Sequence, residues 1–79
     1  MEYKKINSLS ELEVGKIYSD IHPESPIATF MQLKEIRETI CVFYYISGSK
    51  SYWEGEIIFS NDTVINFYEI TDHNPGGFV

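Results

Sequence analysis

The sequence predicts a mainly β domain: a small, strongly bent, five-stranded antiparallel sheet of SH3-like barrel type, with one short N-terminal helical turn. Three observations predict it. The chain has 79 residues, enough for one small domain. It holds eleven Ile and a single Ala, and β-branched and aromatic side chains favour strands where Ala favours helix. Its apolar stretches are short and are separated by clusters of Gly, Pro, Asn and Ser suited to tight turns. Curling a sheet of this size into a barrel hides edges that would otherwise invite aggregation.

The elements follow in order. Asn7-Ser8-Leu9-Ser10-Glu11-Leu12 offers a capping box, with Ser8 as N-cap and Glu11 three residues on. Gly15 ends that helix after one or two turns. Gly15 to Ser19 is the first strand, stopped by His22-Pro23-Glu24-Ser25-Pro26. Residues 27–40 carry helix-start signals at Ser25 and Pro26. Wound at 100° per residue, however, Ile27, Phe30 and Met31 fall opposite Leu33, Ile36 and Ile40. A strand with a turn near Arg37-Glu38 is favoured; the alternative is an α+β fold with residues 26–38 helical across the sheet. Thr39 to Ile46 is apolar on both alternating faces, as in a central strand. Residues 47–51 close a hairpin. Tyr52 to Phe59 alternates, with Trp53, Gly55, Ile57 and Phe59 inward and Tyr52, Glu54 and Glu56 toward water. Ser60 to Thr63 is a turn, and Val64 to Ile70 the last strand. Residues 1–72 form the single domain, and 73–79 a flexible C-terminal tail.

Composition excludes several functions. A lone cysteine, Cys41, rules out an intrachain disulfide framework and a thiolate zinc site. The charged start, with no apolar stretch of signal-peptide length after it, and the longest apolar run of seven residues, Ile40 to Ile46, point away from secretion and from a membrane span. The cytoplasm is the expected compartment. Net charge is −6, and all six basic residues lie within the first fifty positions. Residues 51–79 carry Glu54, Glu56, Asp62, Glu69 and Asp72 with no Lys or Arg. Phosphate contacts need Lys and Arg, so direct nucleic-acid binding is disfavoured and a basic protein surface is a suitable partner.

Candidate chemistry is sparse. Gly48-Ser49-Lys50-Ser51 is preceded by Phe43-Tyr44-Tyr45 rather than by a phosphate-loop glycine, and it reads as a hairpin loop. Asp20, His22 and Glu24 lack a further ligand and read as solvated turn residues, so no metal or cofactor is assigned. Cys41, inside a strand, reads as a small buried hydrophobe. No nucleophile–base pair stands out, and the reading is non-enzymatic. Twelve aromatic residues exceed what so small a core encloses. Some of Tyr44, Tyr45, Tyr52, Phe67 and Tyr68 therefore reach the surface, where Tyr and Trp beside carboxylates suit a binding hot spot.

The abundance of Ile, Lys and Tyr and the scarcity of Ala and Arg fit an A+T-rich bacterial or phage genome. An acidic chain of this habit, with Leu9-Ser10-Glu11-Leu12-Glu13-Val14-Gly15-Lys16-Ile17-Tyr18 leading into short strands, resembles the small accessory and counter-defence proteins of tailed bacteriophages. The resemblance implies action by binding, to a host or defence protein or to a signalling nucleotide. The leading expectation is an inhibitor that blocks a host or defence protein through Tyr52, Glu54, Glu56, Asp62, Tyr68 and Glu69, an acidic, aromatic surface that imitates nucleic acid. An alternative is a homo-oligomeric sponge holding a small nucleotide through Lys34, Arg37, Tyr44, Lys50 and Trp53. A third is a small structural subunit of a virion or complex.

Overall fold

In the computed structural model, which describes residues 1–48 and 54–72, the apolar alternation resolves into six antiparallel strands in one sheet. They are β1 (Tyr3–Lys5), β2 (Ile17–Ser19), β3 (Thr29–Ile36), β4 (Ile40–Gly48), β5 (Glu56–Ser60) and β6 (Tyr68–Ile70). A 3₁₀ turn at Leu9–Glu11 lies between β1 and β2, and a short helix, α1 (Asn61–Val64), between β5 and β6. The sheet order is β1-β6-β2-β3-β4-β5. The mainly β class therefore holds. The order is compatible with an SH3-like barrel, but the sheet stays open, with β1 and β5 as its edges. No described helix is long and apolar enough to cross a membrane.

Three expectations change in detail. The sheet has six strands rather than five, because Tyr3–Lys5 pairs with β6 in the register Tyr3 to Ile70, Lys4 to Glu69 and Lys5 to Tyr68. The helical alternative for residues 26–38 is wrong, since Thr29–Ile36 is a strand. Ser25 and Pro26 start a single turn, closed by Ala28 N–H donating to Ser25 O at 3.1 Å. The predicted strand over Val64–Ile70 shortens to Tyr68–Ile70, because Ser60 caps α1 by accepting from Thr63 N–H and helix takes the residues up to Val64. The strands expected around Ile17–Ser19 and Ile40–Ile46 stand where the sequence places them, and the turn expected over Ser60–Thr63 is largely α1. The hairpin expected over 47–51 and the start of the Tyr52–Phe59 strand fall largely outside the described residues. Glu11 Oε2 accepts from the backbone N–H of Asn7 and Ser8, each at 3.1 Å, which secures the first turn.

Two bulges bend the sheet. Leu33 faces Phe43 while Glu35 faces Val42, so Lys34 is the extra residue on β3; Phe30 faces Ser47 while Met31 faces Tyr45, so Ile46 is extra on β4. A bulge tightens the local twist and shifts the side-chain phase by one. That shift explains Met31-Gln32-Leu33-Lys34-Glu35-Ile36, where the apolar spacing changes from two to three. Leu33 stays inward and Lys34 and Glu35 both turn outward.

The inward face packs Ile6, Leu12, Tyr18, Met31, Leu33, Cys41, Phe43, Val64 and Phe67 into one cluster, with Leu9, Ile57 and Phe59 against it. Phe43 is its hub, with ring centroids at 6.0 Å from Tyr18, 5.8 Å from Phe59 and 5.6 Å from Phe67. Burial above all pushes the Tyr18 phenol from 10.0 up to about 12; its hydrogen bond from the Glu13 backbone opposes the rise, and the Glu69 and Glu13 carboxylates add to it. Gly48 is required where it stands. Its φ is +131°, and a Cβ there would meet Ala28 O at 2.5 Å and Thr29 Cα at 2.6 Å.

Candidate functional site

Strand parity decides which side chains reach the surface. Phe43 points into the core, so Val42 and Tyr44 lie on the opposite face of β4, where Tyr44 is exposed and Val42 is itself buried. Their register partners on β5, Ile58 and Glu56, point outward beside them. The phase shift at Lys34 brings Lys34 and Glu35 to the same face from β3. Tyr44 is 41% and Ile58 60% exposed, and as diagonal neighbours they lie within reach of one another.

The charges on this face are paired. Lys34 Nζ donates to Glu56 Oε2 and sits 5.1 Å from the Tyr44 ring centroid. The Glu56 hydrogen bond, then that of Tyr44, holds the lysine above its ordinary range. Arg37 grips Glu35 with two bonds, Nε to Oε2 at 2.9 Å and Nη2 to Oε1 at 3.1 Å. Its hydrogen bond to Glu35 lowers that carboxyl, and the same bond raises Arg37. Exposed pairs such as these add little stability, but they fix which way the cations point.

The residues expected to form the acidic surface separate. Glu56 opens β5, Glu54 lies two residues before it, and Asp62 follows in α1. Tyr68 and Glu69 lie on β6, with three strands between β6 and β5 in the sheet order. As consecutive strand residues they also face opposite ways: Glu69 lies across from Tyr18, and Tyr68 packs toward Tyr3 and His22. Of the residues expected to hold a nucleotide, Lys34, Arg37 and Tyr44 share the outer face with Glu56. Lys50, Tyr52 and Trp53 lie outside the described residues, as does the predicted tail, 73–79. The outer face thus joins Lys34, Arg37 and Tyr44 of the one expected set with Glu56 of the other.

A second cluster was not anticipated. Tyr3, His22 and Tyr68 form a triangle with centroid separations of 5.0, 5.6 and 6.0 Å. Tyr3 Oη lies 3.0 Å from His22 Nε2. Glu24 N–H donates to His22 Nδ1 at 3.3 Å. A backbone N–H can only donate, so Nδ1 accepts and Nε2 carries the proton toward Tyr3. Burial first, then Glu24, raises the Tyr3 phenol. Both His22 nitrogens are engaged within the protein, and among the described residues no three His, Cys, Asp or Glu side chains are grouped to hold a metal. The only sequence signals were a tyrosine in a charged start and a histidine in a turn. The β1–β6 pairing that joins them spans most of the chain.

A depression of about 330 Å³ is lined by Leu9, Glu38, Thr39, Ser60, Asn61 and Asp62. Asn61 ties its wall together, donating from Nδ2 to Glu38 O at 3.1 Å and accepting from Cys41 Sγ at 3.2 Å. Cys41 is fully buried, and burial raises its thiol, so the chemistry of this wall is structural. Comparison with protein-family models, with curated proteins and with solved structures finds no match to the chain.

Proposed function

We propose that the protein is a non-enzymatic binding module, a phage-type inhibitor that blocks a host or defence protein through the outer face of β4 and β5. One observation carries this reading: Tyr44 and Ile58 are exposed at diagonal positions of the β4–β5 register, with Glu56 opposite Tyr44 and Glu54 exposed just before β5. A rigid aromatic ring and an apolar neighbour supply contact area at small entropic cost, and the surrounding charges set orientation and partner choice. The net charge of −6 supports a partner with a basic surface, approached by electrostatic attraction. Arg37 and Lys34 are already held by carboxylates of their own chain, which favours a protein partner over a phosphate ligand.

The test is affinity capture from a phage-sensitive bacterial lysate with three baits. The wild-type protein retains one predominant partner, and Tyr44→Ala and Glu54→Lys each weaken its retention by about tenfold. The complex weakens as salt rises. Retention that ignores both substitutions and ionic strength would remove this reading.

A further inference from the structure

The outer edge of β5 turns part of its backbone away from β4. Its backbone geometry follows from two hydrogen bonds at its ends. Tyr45 N–H donates to Gly55 O at 3.0 Å, and Asn61 N–H donates to Thr39 O at 3.0 Å. Both join residues that lie opposite one another in the β4–β5 register, which runs without a shift from Ile40–Ser60 to Tyr44–Glu56. Antiparallel pairs alternate between bonded and non-bonded. Ile57 and Phe59 therefore turn their backbone groups toward β4, and Glu56 and Ile58 turn theirs away. Beyond that edge no described strand pairs with β5.

Natural edges are protected by Lys, Pro, bulges or very short length. Residues 56–60, Glu-Ile-Ile-Phe-Ser, have none of these. Instead the edge presents Ile58, 60% exposed, at its centre. A two-fold axis through Ile58 gives an antiparallel register in which each side chain meets an acceptable partner. Ile58 meets Ile58 of the second copy, Ile57 meets Phe59 on the inward side, and Glu56 meets Ser60 rather than another glutamate. Such isologous pairing is the usual symmetry of homodimers. A foreign strand would need to match this pattern independently; a second copy matches it by identity.

We infer that the protein self-associates through β5 as a two-fold dimer with a continuous sheet across the interface. The pairing is short, so the interface belongs to the small class, below about 1,200 Å², and the dimer is reversible. Both copies carry −6, so added salt strengthens the dimer. That is opposite to its effect on a basic partner, which separates this inference from the proposed function. The dimer extends the sheet in its own plane and leaves Tyr44 on the outer face.

Sedimentation velocity from low micromolar to near-millimolar protein, in low and high salt, is the test. Wild type shows a concentration-dependent dimer, and the Ile58 amide gains hydrogen-exchange protection as it forms. Ile58→Lys and Ile58→Glu each raise the dissociation constant by about tenfold or more, with melting curves close to wild type because the site is exposed. Mixed together, the two variants form a heterodimer, since residue 58 faces itself across the axis. Val14→Lys, at another exposed apolar site, leaves the dimer unchanged. A monomer at every concentration, a dimer indifferent to Ile58→Lys, or variants that fail to pair on mixing would each overturn the inference.

Discussion

The two edges of the sheet face the same physical problem and handle it differently. β1 is three residues long, carries Lys4 and Lys5, and is pinned by side chains. Lys5 Nζ donates to the carbonyls of Ile6 and Ile65, each at 2.9 Å, and lies 5.9 Å from the Tyr68 ring centroid. Tyr3 is clasped by His22 from the loop after β2. β5 is five residues long and unbroken by a bulge, and its centre is an exposed isoleucine. Its one charge, on Glu56, is drawn toward Lys34 on the strand beyond β4. The lesson is that a protected edge closes a fold and an unprotected one offers an interface.

Both edges depend on the same aromatic centre. Phe43→Ala leaves a cavity among Tyr18, Phe59 and Phe67, and it costs about 3–5 kcal/mol. For a chain this small that removes much of the total stability, and urea unfolding should show both edges lost together. A smaller effect acts from the β2 side. The Tyr18 phenol is higher in the folded state, so the folded protein holds that proton more tightly than the unfolded chain. Its contribution is complete below pH 10, falls as pH rises through 10 to about 12, and amounts to on the order of 2 kcal/mol. Melting temperature against pH, with Tyr18→Phe as the control that flattens this alkaline limb, checks the sign. The smallest change sharpens the contrast between the edges. Tyr3→Ala removes two ring contacts and the His22 bond, a loss of about 1 kcal/mol, and amide exchange should quicken in β1 and β6 while β4 and β5 keep their rates.

Much of the fold was legible because it rests on short-range pattern. The alternation from Glu56 to Phe59, the apolar density around Cys41 and Phe43, and the failure of residues 27–40 to form one helical stripe all depend on neighbours a few positions apart. β1 was not legible. Tyr3-Lys4-Lys5 has no strand pattern of its own and becomes a strand only because Ile70 and Glu69 accept it. The candidate site was legible in its residue types but not in its grouping. Glu56 was expected to stand with Asp62 and Glu69, yet its nearest charge is Lys34, brought outward by a bulge that two-residue alternation conceals.

By itself the sequence determined the β class, the burial of Cys41 and the imbalance of charge, because these follow from composition and local periodicity. The tertiary structure alone decided which charges meet, that Tyr68 and Glu69 face opposite sides, and that Glu56 and Ile58 hold an edge that no described strand pairs. Those outcomes depend on strand register, and register is settled by packing across the whole sheet, where a slip of one residue exchanges one face for the other.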